Sequence, residues 1–453
     1  MTRRSFAQLG ALSAAAHAAP QGPSSGPPPN IVFLFSDDHS HEDLGCFGNP
    51  AIRTPNLDRL AARGMKFDHC FVASPQCSPN RSAIFTGCTP HSTSTSRLHT
   101  PMPPWEPTFI ERLKERGYFV GAVRKVHQGR QFESRFDYYE SKPESFETFF
   151  DRVPQGKPFW FQAGFTDPHR RYYPGAYDPP HDPAKVRVPA FLPDDPEVRK
   201  DLGHYYDFIA RMDAECGQIL EILERRGLAD NTLVIFTGDN GMPFPRAKGT
   251  CYDPGIRVPM IAAWPGRIRP ASASSELVSH VDLPVTWLDV AGIAKPQKMQ
   301  GVSFLDVLLG RGAAKRLEIY SERNWHDNFD PIRCVRTRTH KLIFNAAPHF
   351  PYRPAWDIED SPSWSAMQRL SRRGGLSSGQ LALFAPSRPM MELYDLKADP
   401  NEFNNLAASE AHASVLDDLM GRLSRWMHQT HDFLPPASPT TGEPQGRRWP
   451  VSL

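Results

Sequence analysis

The sequence predicts an α/β fold: a large, mostly parallel sheet sandwiched by helices, followed by a smaller antiparallel-sheet domain. Three observations carry this. Short continuous apolar runs, Asn30–Ser36 first among them, have the pattern of strands buried on both faces. Helical segments alternate with those runs, which calls for a parallel sheet with helices on both sides. Beyond the stretch Gly301–Leu305 the texture changes to short strands separated by polar turns.

The elements follow in order. Asn30–Ser36 (NIVFLFS) is the first strand. A helix is predicted near Pro55–Arg63, with Thr54 as N-cap, Pro55 in the first turn and Gly64 to stop it. Thr108–Arg116 reads as helix, Gly117 ends it, and Tyr118–Val123 is extended. Phe159–Thr166 and Thr232–Thr237 are apolar strands on either side of an amphipathic helix over Pro196–Arg226, and Met260–Trp264 adds another strand. Past the change of texture, Leu317–Ser321, Cys334–Thr337, Lys341–Phe344 and Met391–Asp395 read as strands. Asp399-Pro400 then turns into a last helix over Ala411–His428. The expected division is a signal and linker over 1–29, a large domain over 30–311 and a smaller α+β domain over 312–453.

A chain of 453 residues is long enough for such a pair of domains. Lys+Arg 52 against Asp+Glu 50 leaves +2 with no basic block, so no nucleic-acid footprint is expected. The 46 prolines, about twice the usual share, point to long ordered loops of the kind that build pockets. No apolar run is long enough to span a membrane. Thr2-Arg3-Arg4-Ser5-Phe6, an apolar run to Ala16 and small residues up to Ala19 read as a twin-arginine export signal, hence a periplasmic or secreted protein. The seven cysteines show no C-x-x-C pairing, so neither a zinc site nor a disulfide framework is expected. One or two bridges remain open for an exported chain.

The residues with chemical potential fall at one kind of place. Asp37-Asp38, Arg124-Lys125, Asp167 to His169, and Asp239-Asn240 each follow a predicted strand. In an open α/β sheet the crevice beyond the strand ends is where ligands bind. Asp37, Asp38, Asp239 and Asn240 offer three carboxylates and an amide oxygen, a hard donor set that suits calcium, with magnesium as the alternative, and not zinc or copper. Brought together, three carboxylates repel one another unless a divalent cation neutralises them. Pro79 is placed to open a helix whose N-terminus would lower the Cys77 thiol pKa, which would make it a thiolate nucleophile.

Cys77-Ser78-Pro79-Asn80-Arg81 followed by Thr86-Gly87, together with the two acidic pairs, resembles the formylglycine-dependent sulfatases of the alkaline-phosphatase-like superfamily. The resemblance is strongest to the heparan N-sulfatase (sulfamidase) branch and its bacterial relatives, through His91, Leu98-His99, Asp239 to Pro245, and Trp426 with Thr430-His431-Asp432. It implies that a maturation enzyme oxidises Cys77 to formylglycine. It also implies that the aldehyde hydrate attacks sulfur, forms a covalent sulfated intermediate and releases sulfate as the aldehyde re-forms. The metal would be held by Asp37, Asp38, Asp239, Asn240 and the modified Cys77. Arg81 would contact the modified residue and the metal-bound carboxylates, Lys125 a sulfate oxygen, and His127 a hydroxyl of the hydrate. His169 would face the sulfate and leaving group, and Lys248 would be the second active-site lysine. The implied substrate is N-sulfoglucosamine of heparan or heparin type, with His326 and Arg333 of the small domain expected to reach the sugar.

Two departures stand out. Lys248 occupies a position where the sulfamidases carry arginine, and Asn80 replaces the commoner serine. The first keeps a carbohydrate O-sulfatase or an arylsulfatase open, since the two cations fork differently around an anion. A phosphonate or phosphate-ester hydrolase and a non-catalytic sulfated-glycan binder also stay open, though a binder would not need the oxidisable cysteine. His39, His41 and Arg170 carry no assigned role.

Overall fold

The structure is a computed structural model that describes residues 27–313 and 316–434. Of the signal and linker expected over 1–29, residues 1–26 lie outside the described residues.

Nine strands form the larger sheet among the described residues: β1 (Asn30–Ser36), β2 (Met65–Phe71), β3 (Phe119–Arg124), β4 (Tyr138–Glu140), β5 (Phe159–Gly164), β6 (Thr232–Gly238), β7 (Arg257–Ala263), β8 (Ser272–Ser274) and β9 (Val278–Ser279). Their order is β4-β3-β5-β1-β6-β7-β2-β8, with β9 beside β2. The run from β4 to β6 is parallel, and β7 is antiparallel to both β6 and β2.

β1 lies at the centre and every residue of it is buried, which is why its sequence is apolar without alternation. Ile31, Phe33 and Phe35 enter one core with Ile110, Leu113, Trp160 and Trp287. Val32 and Leu34 enter the opposite core with Leu202, Ile209 and Leu220 of the helix Pro196–Arg225. That helix starts where its caps dictate: the Asp195 side chain accepts from Glu197 N, and Pro196 fills the first turn. Truncating a side chain such as Phe33 to alanine would cost about 3–5 kcal/mol.

β10 (Ile319–Trp325), β11 (Phe329–Arg336), β12 (His340–Asn345) and β13 (Met391–Asp395) make a separate antiparallel sheet in that order. The helix Ala413–Gln429 covers one face, packing Leu416, Leu419 and Leu423 on Val335, Leu342 and Leu393. From the other face Ile332, Cys334 and Ile343 join the first core of the large sheet. The helix Pro362–Arg372 turns back and places Trp364 and Met367 in the second core. Position 312 therefore separates two sheets whose packing is continuous.

Several strands differ from expectation: the short β4, β8 and β9 were not predicted, and β10 and β11 run over Ile319–Trp325 and Phe329–Arg336, not Leu317–Ser321 and Cys334–Thr337. β2 was not predicted; its sequence MKFDHCF mixes charged residues into a half-buried strand and carries no clear turn signals. β7 begins at Arg257, before the predicted Met260, because Arg257 and Val258 pair with Phe71 and Cys70 of β2. All seven cysteines are free. Among the described residues no helix is long and apolar enough to cross a membrane.

Candidate active site

β3, β5, β1 and β6 are neighbours, and their C-terminal ends deliver Lys125 and His127, Asp167 to His169, Asp37-Asp38, and Asp239-Asn240 to one crevice. Pairing continues past the strands: Lys125 N donates to Gly164 O at 2.9 Å, Asp37 N to Asp167 O at 3.0 Å and Asp239 N to Ser36 O at 3.0 Å. The chain then turns sharply. Asp38, Arg124 and His127 take φ of 63°, 62° and 63°, left-handed values that cost a non-glycine residue about 1 kcal/mol or more. The Asp38 amide is held there by Asp239 Oδ1 at 2.9 Å.

The helix Cys77–Thr86 is buried along its whole length and ends on Gly87, whose φ of 66° suits glycine. Cys77 and Arg81, four residues apart, share its inner face. Arg81 Nε donates to Asp239 Oδ2 and Nη1 to Lys125 O, both at 2.8 Å, while its guanidinium stacks on Phe35. Asn80 Nδ2 donates to Asp239 O at 2.7 Å and its Oδ1 accepts from Ala73 N at 3.0 Å. The asparagine thus ties the helix to the end of β6. Cys77 Sγ lies 3.4 Å from Asp37 Oδ1 and 3.9 Å from Asp38 Oδ1. Burial pushes its thiol well above the usual value; Lys125 opposes this, and Asp239 and Asp37 add to it. The expected lowering at a helix N-terminus does not prevail, because desolvation outweighs it.

Asp37, Asp38 and Asp239 have no solvent exposure, and each meets a cation. Lys125 Nζ pairs with Asp37 Oδ2, Lys248 Nζ with Asp38 Oδ2 at 2.8 Å, and Arg81 with Asp239. The repulsion expected among three carboxylates is therefore offset by three protein cations. Although burial favours the neutral acid, Lys125, His169, Arg81 and Lys248 hold Asp37 well below the ordinary carboxylate range. Asp37, Asp38, Asp239 and Cys77 each offer a donor atom within 4.8 Å of the others. Asn240 Nδ2 donates to Asp38 Oδ1 at 2.7 Å, and its Oδ1 is buried with no partner. A converging, mainly oxygen donor set with a spare amide carbonyl fits calcium or magnesium.

His127 Nε2 lies 2.7 Å from His99 Nδ1, and its buried Nδ1 has no partner. Burial, Lys125 and Arg81 press its pKa down to about 2, so the ring is neutral. His169, its side chain 31% exposed, stands at the mouth with Nε2 3.7 Å from both Asp38 Oδ2 and Asp357 Oδ2. Lys248 Nζ makes a second contact, 2.7 Å to Asp357 Oδ2. Asp357, in the short helix Trp356–Glu359, was missed by sequence reasoning. Burial would raise its pKa, but Lys248 and His169 bring it to about 2.

His326 is buried beside this group. Its Nδ1 pairs with Asp327 Oδ2 at 2.7 Å, and Nε2 has no partner. Asp327 Oδ2 also accepts from Trp356 N at 2.9 Å, which ties His326 to the helix bearing Asp357. Arg333 is not brought to the crevice. It lies opposite Glu322 in the β10–β11 register, fully buried, with both Asp432 oxygens on its guanidinium at 2.5 and 2.8 Å. His39 bridges Ser36 and Asp43 O, and Arg170 grips both oxygens of Asp201, so both are structural ties.

The family model described as sulfatase matches residues 29–293, and a second, described as N-sulphoglucosamine sulphohydrolase, C-terminal, matches 246–363. Human N-sulphoglucosamine sulphohydrolase is 29% identical over 89% of this chain and 91% of its own length. An ulvan-active sulfatase of Formosa agariphila is also 29% identical, over 88% of this chain and 74% of its own length. The fold is shared with a protein solved in complex with its substrate D-glucosamine-2-N,6-O-disulfate, at a TM-score of 0.68 and 20% identity over 90% of this chain and 99% of that one.

Proposed function

This chain belongs to the sulfatase family, and we propose that it removes sulfate from a sulfated saccharide of the N-sulfoglucosamine type through formylglycine made from Cys77. The observation that carries the reading is the place of Cys77. Its Sγ sits at the head of a buried helix, 3.4 Å from Asp37, inside a ring of three carboxylates and three cations. The substrate class is supported by the match of residues 246–363 to the N-sulphoglucosamine sulphohydrolase C-terminal family and by the human relative of that name.

Asp37, Asp38, Asp239 and Asn240 would hold a calcium or magnesium ion, which supplies charge for the anionic sulfate oxygens. Formylglycine, installed by a maturation enzyme, supplies in its hydrated form an oxygen nucleophile for sulfur. The chain's own side chains do the rest. Lys125, 18% exposed, and Lys248 bind sulfate oxygens from two sides. Arg81 locks Asp239 and the nucleophile's helix into one register. Neutral His127 holds the nucleophile's proton, and His169, at the mouth, delivers one to the departing nitrogen or oxygen. His326 contacts the sugar through its free Nε2. The paired arginines at residues 3 and 4 support export by the twin-arginine route with Cys77 already converted.

The test compares kcat/KM for sulfate release from N-sulfoglucosamine and from 6-O-sulfated N-acetylglucosamine with kcat/KM for ester hydrolysis of an aryl phosphonate. The reading expects the N-sulfated sugar to lead in kcat/KM by about tenfold or more. A lead for the O-sulfated sugar would move the assignment to an O-sulfatase, and a lead for the phosphonate would replace it.

A further inference from the structure

We propose that Asp357 is a specificity-determining residue whose Oδ1 accepts a hydrogen bond from the hydroxyl or amine next to the sulfate on the sugar. The inference rests on the reading that the substrate is a sulfated saccharide.

A carboxylate is out of place in a pocket for sulfate, because like charges a few ångströms apart repel. Asp357 nevertheless stands with the groups that face the anion: Oδ2 is 2.7 Å from Lys248 Nζ and 3.7 Å from His169 Nε2. Holding Lys248 does not require it, since Asp38 already pairs with that ammonium at 2.8 Å. Its other oxygen is left over: Oδ1 is buried and receives no hydrogen bond. An ionised carboxylate only accepts, so the missing partner must bring an N–H or O–H. The sulfate oxygens bring none, whereas the sugar carries such donors in the hydroxyls and the amine nitrogen at and beside the sulfated position.

A second unpartnered atom lies close by. His326 Nε2 is buried without a partner, and His326 reaches Asp357's helix through Asp327, which takes both His326 Nδ1 and Trp356 N. Among the described residues, this corner of the crevice has two spare polar atoms with an anion pocket on one side. That arrangement fits a polyhydroxylated or amino sugar and not a simple aryl group.

The test measures kcat/KM for Asp357→Asn and for the wild type on N-sulfoglucosamine and on an aryl sulfate. Both rates should fall, because Lys248 loses a partner, but the saccharide-to-aryl ratio should drop by about thirtyfold. An analogue lacking the neighbouring hydroxyl should lose a similar factor with the wild type and little more with the variant. An equal fall on both substrates would make Asp357 a positioning group for Lys248 and overturn the inference, as would full wild-type activity on the deoxy analogue. A wild type that turns over aryl sulfate but no sulfated saccharide would remove the substrate reading and the inference together.

Discussion

Two buried charge clusters of similar composition lie in this molecule, and they end in opposite states. At the strand ends, Asp37, Asp38 and Asp239 meet Arg81, Lys125 and Lys248. On the small sheet, Glu322 of β10 and Arg333 of β11 meet His91 and Asp432, whose side chains are as dry. In the second cluster partners are matched. His91 N donates to Glu322 Oε1 at 2.8 Å, Nδ1 lies 2.6 Å from Oε2, and Nε2 lies 2.8 Å from Thr430 Oγ1. In the first, Arg81 Nη2, His127 Nδ1, Asn240 Oδ1 and Asp357 Oδ1 are buried without hydrogen-bond partners. A buried charge network that closes on itself is a strut. One that leaves atoms over is built around something else.

The comparison breaks or sharpens under four changes, the largest first. Cys77→Ala should lower sulfate release by at least about 10³-fold, as loss of a nucleophile does, with an unchanged circular dichroism spectrum. Retained turnover would show that the open cluster is not a reaction centre. Exhaustive chelation should abolish activity, and calcium or magnesium should restore it; a fully active chelated enzyme would contradict the metal reading. Arg333→Ala should act in the opposite sense, costing about 3–5 kcal/mol of stability because the buried Asp432 loses the guanidinium that holds both its oxygens and Glu322 is left with His91 alone. A raised KM for the sugar with no loss of stability would put Arg333 back in the site.

The smallest effect is a pH dependence. Burial opposes but Glu322 and Asp432 raise the folded pKa of His91, so its contribution is complete below about pH 6.5 and fades as pH rises through the raised value. Burial opposes but His91 and Arg333 lower Glu322 to about 2, so its contribution is present above about pH 4.3 and fades as pH falls towards 2. Unfolding measured against pH should show His91→Gln losing more stability at pH 5.5 than at pH 8. An equal loss at both values would mean that folding does not raise the His91 pKa.

Much of the site was legible because its residues follow directly on buried apolar strands. β1 was read at its true bounds and β6 to within one residue, and the pairs at 37-38 and 239-240 follow directly on them. Asp357 was not legible. It meets Lys248 across 109 residues of chain and sits in a four-residue helix with no spacing signal. Arg333 was misplaced because the sequence of a short strand does not fix which of its two faces is turned to the site. In the fold, Glu322 and Asp432 claim its side chain. The helix Pro362–Arg372 did carry a signal that was passed over: Ser361 caps it, Pro362 opens it, and Trp364 and Met367 lie three residues apart on one face.

The most direct measurement is the mass of the peptide spanning residue 77, taken from enzyme purified in an active state from its own host. An aldehyde in place of the thiol, in a fraction that tracks specific activity across preparations, is the result this account predicts. Full activity in a preparation whose Cys77 remains entirely a thiol would contradict it.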